Sequence, residues 1–195
     1  SSLFLLILAP IARLWDGIND PMMGTLVDMS NSKMGKYRPW ILRGAIANAV
    51  VLCLLFNNPG IKTDSVWMYV YVAVFYVLWG MSNTLADIPY WSMIPSFATE
   101  EKDRNFISTV ARTFSGLGQG IVTVASPIIL PMLSTGIKTD KGYSATGFSR
   151  WAGILAILLV VFSTICVLPT TERNVVYGEK STFSLKNTSS VIAPN

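Results

Sequence analysis

The sequence contains no histidine and few charged residues. Only 13% of its 195 residues are charged, while 51% are hydrophobic, and an average soluble domain has roughly 25% charged residues. The mean hydropathy is +0.48, so there are too few charges to cover the surface of a globule in water. This composition predicts an integral membrane protein and excludes a disordered chain and a nucleic-acid binder built on basic stripes. Without histidine, no chemistry can depend on an imidazole.

Cysteine is nearly absent as well. Cys53 and Cys166 each lie inside an apolar run, where a cysteine behaves as a small hydrophobic residue. Two such cysteines indicate neither a disulfide framework nor a thiolate metal site. The sequence also shows no nucleophile, metal cluster or phosphate-binding loop, so we expect no enzyme activity and no bound cofactor.

Five segments are long enough to cross a bilayer, which takes about 20 residues at a rise of about 1.5 Å per residue. They cover residues 3–27, 40–56, 66–95, 106–133 and 151–168. The predicted fold is thus an all-α membrane protein with five transmembrane helices, and residues 1–168 form a partial N-terminal bundle. Residues 169–195 are polar, which is typical of a linker.

Basic residues in the connecting segments predict the orientation. Nine of the 15 Lys and Arg residues fall on one predicted side, at Lys33, Lys36, Arg38, Arg43, Lys102, Arg104, Arg173, Lys180 and Lys186. The opposite loops carry Lys62, Lys138, Lys141 and Arg150. Because cytoplasmic loops are enriched in Lys and Arg, we expect the first side, including the C-terminal tail, to be cytoplasmic.

Two carboxylates lie inside the first predicted span. Asp16, Asn19 and Asp20 are spaced i, i+3 and i+4, so they project from one face of a helix. Carboxylates about 6 Å apart repel by roughly 3 kcal/mol at an effective dielectric constant of about 20, and a proton or a small monovalent cation relieves that repulsion. Oxygen ligands suit a hard ion such as Na⁺. Alternatively, the two acids pair with Arg13 or Arg112 and hold helices together.

The third predicted span carries a second polar stripe. Thr84, Asp87 and Trp91 follow one another at i, i+3 and i+7, and a hydroxyl, a carboxylate and an indole on one face suit a sugar. The alternative for Trp91 is the aromatic belt at the membrane interface. Arg112, in the fourth span, either reaches the headgroups or neutralises Asp87 and donates to a substrate oxygen.

Several blocks of the sequence resemble a known family. They are RLWDGINDPMMG at 13–24 followed by Asp28, GKYRPW at 35–40, WGMSNTLADIPYW at 79–91 and RTFSGLG at 112–118. These blocks resemble the glycoside–pentoside–hexuronide:cation symporters, a branch of the major facilitator superfamily.

The resemblance implies that the chain is a fragment covering helices two to six of a 12-helix fold and the start of its central cytoplasmic linker. The first helix and the C-terminal six-helix half would then lie outside it. The implied function is symport of a glycoside or related sugar with Na⁺, Li⁺ or H⁺ by alternating access in the bacterial inner membrane. Export or uniport of an acidic or sulfonated sugar on the same fold, or an inactive remnant, remain alternatives.

The resemblance also implies roles for individual residues. The implied cation site comprises Asp16, Asn19, Asp20 and Thr84. The implied sugar site comprises Asp87, Trp91, Arg112 and Asn83, although Asn83 replaces a tyrosine that lies near the sugar in one member of the family. The implied gate at the cytoplasmic loop comprises Gly24, Asp28, Gly35, Lys36 and Arg38, with Lys36 and Arg38 forming ion pairs between the two halves.

Overall fold

The computed structural model describes residues 2–30, 32, 34–57, 59–61, 65–98, 100–136, 139 and 142–170. These residues form five long helices: α1 (Ser2–Asp28), α2 (Arg38–Phe56), α3 (Val66–Met93), α4 (Glu101–Leu133) and α5 (Ala145–Val167). A short 3-10 turn, Ile94–Ser96, prolongs α3. The described part of the chain contains no strand, so the predicted all-α fold is confirmed.

Length and composition make these helices suited to a membrane. Four of them, α2, α3 with its 3-10 turn, α4 and α5, are long and apolar enough to cross a bilayer. Within the described residues α1 is not one of the four, and its predicted span at 3–27 therefore stays a prediction.

The last two helices begin earlier than the apolar segments that predicted them. Helix α4 begins at Glu101 rather than at 106, with Glu101 and Asp103 in its first turn, where acidic side chains suit the positive end of the helix dipole. Helix α5 begins at Ala145 rather than at 151, because the side chain of Ser144 caps it and accepts a hydrogen bond from the Gly147 N–H. Polar first turns therefore extend both helices beyond the apolar part.

The helices pack in an order that differs from their order in the chain. Helix α3 lies between α1 and α2, α2 also packs against α5, and α5 packs against α4. Helices α2 and α3 approach each other closely at their backbones: a Cβ placed on Gly44 would lie 2.6 Å from the backbone N of Ala86. Helix α4 buries little of its surface, with Leu130 as its buried residue.

Several predicted features lie outside the described residues. They are the linker from residue 171 onward and the basic residues Lys33, Lys62, Lys138, Lys141, Arg173, Lys180 and Lys186.

Candidate functional site

A cavity of about 330 Å³ lies between α1 and α3. Its volume is in the range of small-molecule sites, about 300–1,000 Å³. From α1 it is lined by Arg13, Trp15, Asp16 and Asp20, and from α3 by Tyr76, Val77, Trp79, Gly80, Asn83, Thr84 and Asp87. The structure therefore brings both acids predicted for the cation and the acid predicted for the sugar to one cavity.

Asp16 lies where α1 and α3 approach each other. One of its oxygens, Oδ1, is 3.4 Å from the position that a Cβ on Gly80 would occupy, so the carboxylate packs on the face of α3 that carries Gly80. The other, Oδ2, is 3.8 Å from a guanidinium nitrogen of Arg13. Because the Arg13 side chain is 86% exposed, this is a weak pair of the kind typical at protein surfaces. Of the predicted pairs between these acids and Arg13 or Arg112, the structure thus shows a weak pair between Asp16 and Arg13.

Thr84 is oriented so that its oxygen can accept. Its hydroxyl donates to the carbonyl oxygen of Gly80, one turn earlier in α3, at 3.2 Å. A hydroxyl that gives its proton to its own helix keeps oxygen lone pairs for another partner. Thr84 and Asp20 line the same cavity, and their predicted role as ligands of a cation stays a prediction. The described residues contain no group of three or more acids, cysteines or histidines close enough to hold a metal ion together.

Asn19 has different surroundings from its two acidic neighbours. It is buried, with 5% of its surface exposed, and it does not line the cavity. Its amide nitrogen Nδ2 is buried without a hydrogen-bond partner among the described residues. Its predicted place in the cation site stays a prediction, which now requires that the amide turn toward the cavity.

Asp87, Trp91 and Arg112 form a connected group on α3 and α4. The indole Nε1 of Trp91 donates to Oδ1 of Asp87 at 3.0 Å. The guanidinium carbon of Arg112 lies 4.5 Å from the centre of the Trp91 ring, a cation–π geometry that contributes about 0.5–2 kcal/mol. The structure therefore brings together three residues predicted for the sugar.

The contacts within that group differ in detail from the predicted ones. No ion pair joins Arg112 to Asp87 in the described part of the chain; Arg112 contacts Trp91 instead. The ring face under Arg112 cannot stack on a sugar at the same time. Asp87 keeps its second oxygen as an acceptor, and Asn83 lies beside it on the cavity wall.

Sequence reasoning missed three aromatic residues of the cavity, Trp15, Tyr76 and Trp79. The stripe of Thr84, Asp87 and Trp91 continues toward the start of α3 through Gly80, Trp79 and Tyr76, because residues three or four apart share a helix face. Extending the stripe by two turns would have found the aromatic residues of α3. Trp15 adjoins Asp16, and no pattern in α1 singles it out.

The loop between α1 and α2 is held by a short ion pair. Lys36 Nζ lies 2.9 Å from Oδ1 of Asp28, and the lysine side chain is only 5% exposed. Gly35 has a φ of 107°, which glycine adopts readily, and it precedes Lys36 directly. Burial of the amine works to lower the pKa of Lys36, but the hydrogen bond to Asp28 and the nearby charges outweigh it and raise that pKa above 10.5.

Arg38 joins this loop to the end of α5. Its Nε donates to the carbonyl oxygen of Val167 at 3.0 Å, and its Nη2 donates to that of Leu168 at 3.0 Å. The last carbonyls of a helix lack partners within the helix and carry partial negative charge, so a guanidinium stabilises them. Gly24 has open space around it. The predicted ion pairs of Lys36 and Arg38 between two halves stay predictions, but both side chains bind within this bundle.

A comparison with known families decides the relationship. A family described as MFS/sugar transport protein matches residues 2–192. The chain belongs to this family. The predicted membership of the glycoside–pentoside–hexuronide:cation symporters within the major facilitator superfamily is confirmed by this match and by the names of the curated relatives.

Three of these relatives show the extent of the similarity. The chain is 31% identical over 168 residues to the "Uncharacterized symporter YjmB" of Bacillus subtilis, which covers 85% of this chain and 34% of that protein. It is 29% identical over 158 residues to the "Raffinose carrier protein" of Pediococcus pentosaceus, covering 80% and 24% respectively. It is 26% identical over 172 residues to a "Lactose permease" of Lactobacillus helveticus, covering 84% and 26%.

The chain therefore spans between about a quarter and a third of the length of these relatives. The family and the four apolar helices together make it a multi-pass membrane protein.

Proposed function

We propose that this chain forms part of a carrier that couples the movement of a glycoside to that of a cation, by symport and alternating access. The coupling ion is Na⁺, Li⁺ or H⁺, and the membrane is the bacterial cytoplasmic membrane with the end of α5 on the cytoplasmic side. The relatives named for raffinose and lactose support a sugar substrate, and the relative named as a symporter supports coupling.

One observation carries the proposal: Asp16, Asp20, Thr84 and Asp87 line a single cavity. In the proposed assignment the first three bind the cation and Asp87 binds a sugar hydroxyl. Because both ligands occupy one cavity between the same two helices, each changes the surroundings of the other. Such coupling is reciprocal and typically amounts to about 1–3 kcal/mol.

Electrostatic repulsion supplies the coupling. Without a cation, Asp16 and Asp20 on α1 both repel Asp87 on α3 in a poorly screened cavity, and the gap between the two helices stays wide. A bound cation neutralises one charge and allows the helices to approach, which brings the Asp87 side of the cavity closer to a sugar. The loaded carrier then exposes the cavity to the other side of the membrane, as in alternating access around a central site.

The charges of the cavity favour a neutral sugar. Three carboxylates and one guanidinium line it, so a single monovalent cation still leaves an excess of negative charge. An acidic sugar would be repelled there, and Arg112, its predicted partner, contacts Trp91 outside the lining residues. The geometry thus supports a neutral glycoside over an acidic or sulfonated one.

A pair of matched variants tests the assignment in the full-length protein, reconstituted in vesicles. Asp20→Asn is expected to abolish stimulation of glycoside uptake by Na⁺, Li⁺ and a proton gradient, because one of the two repelling charges is removed. Asp87→Asn is expected to abolish glycoside binding while Na⁺ binding, measured by calorimetry, persists. Each variant serves as the control for the other.

Two results would contradict the proposal. If Asp20→Asn leaves cation-stimulated uptake unchanged, the cation does not bind at Asp20 on α1. Preferred uptake of glucuronides over the matching neutral glycosides would show that the acidic cavity does not select the substrate, and would favour the alternative of an acidic sugar.

A further inference from the structure

We propose that Trp15, Tyr76 and Trp79 form a second carbohydrate subsite in the cavity, which binds the group linked to the sugar ring held at Asp87. This inference rests on the proposed function, because it names a part of the glycoside and its place in the same cavity. The three residues, called the aromatic subsite below, come from both walls of the cavity: Trp15 from α1, and Tyr76 and Trp79 from α3.

The depth of the two tryptophans in their helices separates them from an interfacial belt. Belt aromatics lie near the ends of membrane-spanning helices, at the level of the headgroups. Trp79 lies close to the middle of α3 (Val66–Met93), and Trp15 lies close to the middle of α1 (Ser2–Asp28). An indole at that depth beside carboxylates lines a polar cavity, and anchoring at the membrane surface does not explain it.

Two of the three rings pack together on α3, and both tryptophans keep exposed surface. Tyr76 and Trp79 lie with their centroids 6.1 Å apart and their planes at 40°, within the usual range for aromatic pairs. Trp79 remains 36% exposed and Trp15 remains 42% exposed, so both indoles have surface to offer a ligand. An indole or phenol combines a flat apolar face with a polar edge, which matches the apolar face and hydroxyl edge of a sugar ring as well as the flat face of an aryl group.

The length of the cavity leaves space for a second ring. Tyr76 and Asp87 are three turns apart on α3, or about 16 Å at a rise of about 1.5 Å per residue. A single sugar ring bound to Asp87 does not reach the aromatic subsite. The group attached to that ring through the glycosidic bond does reach it.

Binding of paired glycosides by the full-length protein tests the subsite. The probes are methyl and 4-nitrophenyl glycosides of galactose, glucose and xylose, which share the first ring and differ in the attached group. For the sugar that the unmodified protein binds most tightly, Trp79→Leu is expected to weaken binding of the 4-nitrophenyl glycoside about tenfold, in line with the energy of aromatic contacts. The dissociation constant of the methyl glycoside is expected to change less than twofold.

Three further variants make the outcome specific. Trp15→Leu, on the other wall, is also expected to weaken binding of the 4-nitrophenyl glycoside more than that of the methyl glycoside. This variant replaces Trp79→Leu in the test if Trp79→Leu does not fold. Trp79→Phe is expected to restore most of the preference for the aryl glycoside. Trp67→Leu is the matched control, because Trp67 is 72% exposed at the start of α3 and does not line the cavity.

The results separate the subsite from the proposed function. Equal weakening of methyl and 4-nitrophenyl glycosides, or no change for either in both leucine variants, overturns the aromatic subsite while leaving symport intact. An unmodified protein that binds no glycoside in the presence of Na⁺, Li⁺ or at acidic pH overturns the proposed function itself and the subsite with it.

Discussion

The two sides of α3 differ in how closely a neighbouring helix approaches. On the side of α2, Gly44 meets the backbone of Ala86 so closely that an added Cβ would lie 2.6 Å from its nitrogen. On the side of α1, a Cβ added to Gly80 would meet only the side-chain oxygen of Asp16, at 3.4 Å, and a cavity follows. Helix α2 therefore packs against the backbone of α3, whereas charged side chains lie between α1 and α3.

The two ion pairs described for α1 show the same difference. Near its end, Asp28 binds the buried Lys36 at 2.9 Å. In the middle, Asp16 lies 3.8 Å from an exposed Arg13. The bundle is therefore held firmly at α2 and at the α1–α2 loop, while the Arg13–Asp16 pair at the cavity is weak enough for a ligand to replace. Four substitutions in the full-length protein test this division, and the largest effect is expected first.

Gly44→Ala is expected to cause the largest loss of stability. The new methyl group would overlap the backbone of Ala86, which cannot move away as a flexible side chain can, and overpacking of this kind typically costs about 1–3 kcal/mol. Thermal unfolding in detergent measures the loss. Gly153→Ala is the control, because a Cβ there meets nothing within 4 Å and the helix gains from the better helix former. Equal stability of both variants would show that α2 and α3 are not in close contact.

Asp28→Asn is expected to destabilise the protein by about 2 kcal/mol, because the buried amine of Lys36 loses its carboxylate. Lys36→Met is expected to cost less, since it leaves Asp28 at the surface, where water solvates it. The measurement is the unfolding temperature of both variants under the same conditions. A larger loss in Lys36→Met would contradict the account of a buried charge held by an exposed partner.

The same pair predicts a dependence on pH. Because the folded-state pKa of Lys36 is raised above 10.5, its contribution to stability is fully present below that pH and is lost as the pH rises through the folded-state pKa. The unmodified protein should lose stability in that alkaline range, and Asp28→Asn should lose less. Parallel curves for the two proteins would exclude the ion pair as the cause.

Gly80→Ala is expected to change ligand binding more than stability. The added methyl group would lie 3.4 Å from the carboxylate of Asp16, an ordinary van der Waals contact, and it would restrict the rotamers that this carboxylate can adopt around a cation. We expect the Na⁺ concentration that gives half-maximal uptake to rise about threefold, with the unfolding temperature nearly unchanged. A large loss of stability would instead show that the backbones of α1 and α3 are in close contact at Gly80, as those of α2 and α3 are at Gly44.

Arg13→Gln is expected to have the smallest effect. Exposed ion pairs contribute about 0–1 kcal/mol, so stability should change by less than about 0.5 kcal/mol and cation-stimulated uptake should persist. Arg13→Lys, which keeps the charge, is the control. Complete loss of the cation response in Arg13→Gln alone would mean that this arginine, and no ligand, holds Asp16 in place.

Much of the fold followed from the sequence. Apolar runs and the lack of charge predicted an all-α membrane protein, and the residue blocks at 13–24 and 79–91 predicted the family. The helix period predicted that Thr84, Asp87 and Trp91 share a face, and the structure shows the hydrogen bond between Trp91 and Asp87. These predictions depend on composition and on spacing within one helix, which the linear sequence contains.

The surroundings of Asn19, Arg38 and Arg112 could not be predicted in that way. The spacing of Asn19 relative to Asp16 and Asp20 predicted that all three share one face of α1. In the structure, however, Asn19 is buried and does not line the cavity. Arg112 stacks on Trp91 and Arg38 binds the end of α5, a partner far along the chain. A helix period says which residues share a face, and it does not say which neighbour that face meets.

The sequence by itself determined that this is a membrane protein, where its helices lie, and which residues form the polar stripes on α1 and α3. Each of these depends on composition or on a local repeat of about 3.6 residues per turn. Only the tertiary structure decided that the two stripes enclose one cavity and that aromatic rings from both walls meet there. Those outcomes depend on contacts between distant segments, above all the close approach at Gly44 and Ala86, which sets the position of α3.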